Sequence, residues 1–174
     1  MCFGSPTAHE KEAFTLVLRG HIALATARFP EGTPGAKLDI LARLPLWGVG
    51  LDYRHGTGHG VGAFLNVHEG PQAISYKKRP YEEGFYPGMV TSNEPGYYAD
   101  GRFGVRIESV MVCREAQTPH RFGGTRYCEF ETITMAPIQK KLIEPSLMTP
   151  ADVAWLNAYH RQVRETLLPL LKED

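Results

Sequence analysis

Four glycines alternate with other residues through His55-Gly56-Thr57-Gly58-His59-Gly60-Val61-Gly62, a density that neither an ordinary helix nor an ordinary strand tolerates. Each glycine in a helix interior costs roughly 0.5–1 kcal/mol relative to alanine, and in a strand it removes a side chain that would pack. Such a run instead lets backbone pass close to a ligand, or take dihedral angles closed to other residues. The spacing is not the dinucleotide fingerprint, which needs a strand-to-helix junction, and no Gly-Lys-Ser/Thr marks a phosphate loop. His55 and His59 stand four apart, without the Glu and the helix-forming neighbours of a zinc-protease helix. A loop or bent strand carrying two imidazoles is expected.

The 174 residues are 43% apolar and 22% charged, which fits one globular domain. Lys plus Arg and Asp plus Glu are 19 each, so no net field draws the chain to nucleic acid or an anionic membrane, and neither is expected as a partner. No apolar run approaches the roughly 18 residues of a bilayer span. The first residues also lack a basic segment followed by an apolar one, and the reading is a soluble, unsecreted, cytoplasmic protein. Cys2, Cys113 and Cys128 are odd in number and too far apart for a Cys-x-x-Cys site, so they read as reduced thiols. Cys113 and Cys128 can face each other on neighbouring strands, a disulfide being the less favoured reading.

Thr7 with Glu10 makes a capping box, and Phe14, Leu18, Ile22, Ala25 and Phe29 form one apolar stripe of a helix that Gly32 and Pro34 stop. A shorter helix follows, with Thr33 and Pro34 at its start, Leu38 and Leu41 on its buried face and Pro45 at its end. Residues 88–98, 104–113 and 127–137 are rich in Val, Ile, Thr, Tyr and Phe and read as strands. Thr149-Pro150-Ala151-Asp152 opens a last helix with Leu156, Tyr159, Val163 and Leu167 on one side. The fold class is α+β, helices early and late around an antiparallel sheet.

His68, Asn93-Glu94-Pro95-Gly96-Tyr97-Tyr98 and Val105-Arg106-Ile107-Glu108 complete the chemically informative residues. An imidazole and two carboxylates on separate elements can converge on divalent metal, and two further histidines can move protons or bind carbonyls. Each has a blander role. Any one histidine is more often structural than a ligand, Glu94 can bond a neighbouring backbone, and Glu108 can be the polar face of a half-buried strand balanced by Arg106. His9, His21, His120 and His160 are assigned to solvated surface or packing, and so are Tyr97-Tyr98, Trp47 and Trp155 to packing.

The ordered set His-Gly-Thr-Gly-His-Gly-Val-Gly, Asn66-Val-His-Glu-Gly-Pro71, Glu94-Pro-Gly-Tyr-Tyr98 and Phe103-Gly-Val-Arg-Ile-Glu108 resembles the X-prolyl aminopeptidases (aminopeptidase P) among the pita-bread metallopeptidases, relatives of prolidase and methionine aminopeptidase. The likeness runs from Phe3-Gly-Ser-Pro-Thr7 through Leu51-Asp-Tyr53 to Trp155-Leu-Asn-Ala-Tyr-His160. It implies metal ligation by His59, Glu94 and Glu108, with Glu108 the bridging carboxylate, and catalytic or substrate-guiding roles for His55 and His68. It also implies two ions, usually Mn²⁺ though cobalt or zinc can bind, and release of the N-terminal residue from peptides with proline in second position.

The family supplies two further aspartate ligands upstream of the segment that matches Phe3-Gly-Ser-Pro-Thr7, and Asp39, Asp52 and Asp100 match neither. The resemblance therefore implies that residues 1–174 are the C-terminal portion of a catalytic domain, a curved antiparallel sheet with flanking helices, shortened by truncation, an alternative start or a split gene. The chain alone is then expected to be inactive, and to form a homodimer or associate with a missing N-terminal half. Two other readings stand beside this one: a prolidase-like dipeptidase fragment, and a metal-free pita-bread binding module.

Overall fold

A computed structural model of the chain describes residues 1–77 and 83–171. The Thr7 hydroxyl accepts the Glu10 N–H at 3.2 Å while the Glu10 carboxylate accepts the Thr7 N–H at 2.6 Å, the expected capping box in front of α1 (Ala8–Ala25). The helix stops short of the apolar stripe that marks it in sequence. Thr26 bonds the Ile22 carbonyl with both its N–H and its hydroxyl, and Phe29 is drawn into a strand, β1 (Arg28–Pro30), opposite Cys128. Burial of α1 extends well beyond one stripe, from Ala13 through Leu18 and on to Ala25. The helix lies against α2 (Gly35–Trp47), α3 (Pro150–Leu167) and several strands at once.

Pro45 sits inside α2 rather than at its end. A proline in the last turn forfeits one i→i−4 bond, and the Gly48 N–H still reaches the Leu44 carbonyl at 3.1 Å. Trp47, expected to pack, is 45% exposed alongside Leu44 and Val49. The last helix follows its sequence signal: Thr149 and Asp152 make a second capping box, and Leu156, Tyr159 and Val163 are buried.

The three expected strand segments divide into five: β4 (Val90–Asn93), β5 (Gly96–Ala99), β6 (Phe103–Arg106), β7 (Ser109–Ala116) and β8 (Tyr127–Thr132). The main sheet has the order β1-β8-β7-β4 and is antiparallel throughout. β2 (Gly58–His59) pairs with β3 (Ala73–Ile74), and β5 with β6. β8 ends at Thr132, short of residue 137, because the chain beyond it turns to α3, where the Tyr159 hydroxyl lies 2.9 Å from the Ala136 carbonyl and accepts the Ala136 N–H.

One feature of register positions the site. Asn93 pairs with Ser109 and Gly96 with Arg106, so β4–β5 and β6–β7 are a single long hairpin interrupted at Glu94-Pro95 and Ile107-Glu108. Pro95 has no N–H to give a ladder, although its carbonyl accepts the Ile107 N–H at 3.3 Å. Glu94 and Glu108 therefore stand at facing positions of the interruption.

Two apolar clusters hold these layers together, one around Phe29, Phe85, Met111 and Phe130, the other around Phe14, Leu18, Leu46, Tyr53 and Leu156, with Trp155 packed against both. Cys113 and Cys128 are buried and free, as expected, and burial pushes the Cys113 thiol well above its ordinary range. The architecture is α+β.

Candidate metal centre

His59, Glu94 and Glu108 each offer one donor atom, and these atoms lie within 4.8 Å of one another. Three elements bring them together. His59 stands in β2, its N–H bonded to Ser92 Oγ at 2.9 Å and its carbonyl accepting the Thr91 hydroxyl at 3.0 Å. Close backbone approach explains two of the glycines: a Cβ at Gly58 would collide with the Ser92 carbonyl of β4, and one at Gly60 with the Glu69 carbonyl of the following loop. His59 Nδ1 lies 2.9 Å from the Gly60 carbonyl, which can only accept, so Nδ1 carries a proton and Nε2 is the nitrogen turned toward the carboxylates. Nε2 is 3.2 Å from Glu94 Oε1.

Glu94 is 9% exposed. Its Oε1 accepts the Ser92 hydroxyl at 2.9 Å, and Arg106 Nη1 lies 3.6 Å from Oε2. Like charges directly opposite each other on adjacent strands are destabilising, and the half-exposed Arg106 compensates only one side of the Glu94–Glu108 pair. Two carboxylates and one imidazole form an oxygen-rich donor set of the kind that divalent ions take.

His55 sits at the edge of a cavity of about 350 Å³ that Tyr53, Tyr98 and Asp100 also line. Its Nδ1 is 2.8 Å from the Gly56 carbonyl and its Nε2 3.0 Å from the Tyr98 hydroxyl. Arg106 Nε donates to that hydroxyl at 2.9 Å, so the Tyr98 proton is directed to His55 Nε2 and the imidazole is held as the Nδ1–H tautomer. His68 lies in an exposed loop, its ring centroid 4.1 Å from that of His59. In the same loop Phe64 and Leu65 are almost fully exposed.

Ser92 escapes the sequence reading, Tyr98, expected to pack, is 41% exposed, and Arg106, expected to balance Glu108, reaches Glu94 and Tyr98 instead. Strand periodicity holds the signal: Ser92 and Tyr98 share the face of Glu94, and Arg106 that of Glu108, because alternate residues point the same way. The other histidines stay outside the centre. His21 is wholly buried beside Trp155, His160 accepts the Ile138 N–H, His9 packs on Tyr97 and Phe103, and His120 is exposed. Asp39 and Asp52 are engaged by Arg43.

The profile of metallopeptidase family M24 matches residues 1–115, and that of the C-terminal region of peptidase M24 matches residues 126–174. Aminopeptidase P2 of Arabidopsis thaliana is 57% identical over 173 residues, 98% of this chain and 24% of that protein. A probable Xaa-Pro aminopeptidase P of Laccaria bicolor is 54% identical over 172 residues, 99% of this chain and 27% of that protein. The chain thus spans about a quarter of the length of these relatives. Among solved structures, an X-prolyl aminopeptidase from Caenorhabditis elegans, described as a cytosolic enzyme with a di-nuclear active site, matches with a TM-score of 0.91 at 38% identity, covering 100% of this chain and 28% of that one. An Xaa-Pro dipeptidase from Bacillus anthracis matches with a TM-score of 0.63 at 28% identity, covering 80% of this chain and 34% of that one. Family profiles over most of the sequence, and a shared fold with pita-bread relatives, establish that the chain belongs to the M24 metallopeptidases.

Proposed function

We propose that residues 1–174 are the C-terminal portion of the catalytic domain of a cytoplasmic, manganese-dependent X-prolyl aminopeptidase, which releases the N-terminal residue of peptides whose second residue is proline. The observation that carries this reading is the opposed pair Glu94 and Glu108 with His59 on a separate element, one donor atom of each lying within 4.8 Å of the others. The names of the relatives support the substrate class. A metal-free binding module would leave the two carboxylates facing each other without a matching cation, which weighs against that alternative.

In this reading His59, Glu94 and Glu108 would hold the metal. Bound divalent ions supply Lewis acidity toward a carbonyl oxygen and an activated water at neutral pH. The protein's own groups do the rest. Ser92 and the Gly60 carbonyl fix the orientation of Glu94 and the tautomer of His59. His55, once protonated, donates from Nε2 to a substrate carbonyl at the mouth of the cavity, and His68 assists proton movement beside His59. Three ligands fall short of what two dications need, so the remaining carboxylates come from outside this set, through a second copy of the chain or further polypeptide.

The test combines metal and a proline-containing tripeptide of the form Xaa-Pro-Xaa. With Mn²⁺ or Co²⁺ present, the peptide is expected to shift the His55 and His68 imidazole resonances, with little or no turnover by the chain alone. Absence of any metal binding at millimolar ion, or peptide turnover that survives His59→Ala, would overturn the reading.

A further inference from the structure

Arg43 of α2 is the largest of the fully buried side chains, 2% exposed, and every one of its N–H donors is used. Nε donates to Asp39 Oδ2 at 2.6 Å and Nη2 to Asp39 Oδ1 at 3.2 Å; Nη1 donates to Asp52 Oδ1 at 2.8 Å. The other two bonds go to backbone: Nη1 to the Tyr53 carbonyl and Nη2 to the His55 carbonyl, each at 2.7 Å. A guanidinium has five donors, and five acceptors meet them. Its Cζ lies 3.9 Å from the centroid of the Tyr53 ring, whose own centroid is 4.8 Å from that of His55, the two rings tilted by 41°. Asp39 also accepts the Thr57 hydroxyl at 2.6 Å. Burial alone works against the charge of Arg43, yet Asp39 and Asp52 hold its pKa above the ordinary value.

Stability gives no sufficient reason for this arrangement, since a buried ion pair is often no better than apolar packing of the same volume. Its geometry suggests another. His59, four residues further on, is fixed by Ser92 Oγ, Thr91 Oγ1 and the pairing of β2 with β3. His55 lies before that pairing begins, and the side-chain bond that holds its carbonyl comes from Arg43, which also holds the Tyr53 carbonyl.

We propose that Arg43, held by Asp39, is a positioning residue for His55: it fixes the backbone at Tyr53 and His55 so that the imidazole meets the Tyr98 hydroxyl as one tautomer, independently of the metal ligand His59. What this does for peptide binding rests on the function proposed above; the positioning itself does not. Lysine is no substitute, because its three rotatable donors cannot reproduce the planar fork that spans two carbonyls and two carboxylates.

The experiment is ¹⁵N NMR of the histidine side chains in the full chain and in Arg43→Lys, with a Co²⁺ titration of each. The expected result is that folded Arg43→Lys loses the single Nδ1–H tautomer of His55 in favour of a mixture of both, and loses its contact with Tyr98, while Co²⁺ affinity and the His59 signals are unchanged. Unchanged His55 resonances in the folded variant would overturn the proposal, as would parallel loss of His55 order and Co²⁺ affinity, the mark of general loosening. A parent chain that binds no Co²⁺ defeats the functional reading, yet the His55 resonances still decide this one. If circular dichroism shows Arg43→Lys unfolded, Asp52→Ala takes its place. It breaks one guanidinium bond and frees the Tyr53 N–H, which Asp52 caps at 2.8 Å, and partial averaging of the His55 tautomer is then required; a fixed tautomer there overturns the proposal.

Discussion

Ser92 ties His59 and Glu94, two of the proposed metal ligands, to each other, its hydroxyl donating to Glu94 while its oxygen accepts the His59 N–H. Removing an outer partner of this kind lowers metal affinity by about 10- to 100-fold, so Ser92→Ala is expected to weaken Mn²⁺ binding by that factor, read by calorimetry, with the fold intact. His21 makes a different prediction. Its ring is fully buried, neither ring nitrogen completes a hydrogen bond, and burial lowers its pKa from 6.5 to about 4. Between those values the unfolded chain carries a proton at His21 that the folded chain does not. Its contribution to stability is therefore complete above pH 6.5 and is lost as pH falls toward 4, about 3 kcal/mol in all. Urea unfolding at pH 7 and at pH 4.5 checks this: His21→Phe should flatten the acid loss, and an equal loss in both proteins would refute it. The proposed ligands His59, Glu94 and Glu108 were legible as motif residues. Their supporting groups were not, because a serine or an arginine on a strand looks like solvated surface until its partner across the bend is known.

At the level of elements, both capping boxes could be read from four residues each, since a cap is a local bargain between one hydroxyl and one N–H. Thr149→Ala should cost about 1 kcal/mol, measured by urea unfolding, and should leave Mn²⁺ affinity unchanged because α3 contributes no ligand. Of the shortest strands, β2 falls in the glycine run read as a loop or bent strand, while β1 and β3 gave no sequence signal; two or three residues carry no periodicity. The interruption of the hairpin was hidden for another reason. Alternation keeps its phase through Glu94-Pro95 and Ile107-Glu108, so strand patterning runs across the point where the ladder opens and the two carboxylates come face to face.

For the molecule as a whole, the α+β class followed from the order of helical and strand-like segments, whereas the central burial of α1 did not, because packing on several sides depends on elements far apart in the chain. Leu44, Trp47, Phe64, Leu65 and Phe122 are exposed, and β6 pairs with β5 alone among the described strands. Exposed apolar side chains and an open strand edge favour association. Sedimentation velocity is expected to show a reversible dimer forming with concentration, and a monomer that persists at high concentration would count against it. The proposed function rests on His59, Glu94 and Glu108 holding a divalent ion. The direct measurement is Mn²⁺ titration of the chain and of Glu108→Gln, with the stability of each determined without metal. Opposed carboxylates and a shared ion predict that Glu108→Gln weakens Mn²⁺ binding at least about 10-fold while stabilising the metal-free protein by roughly 0.2–1 kcal/mol. Equal Mn²⁺ affinity in the two proteins would contradict it.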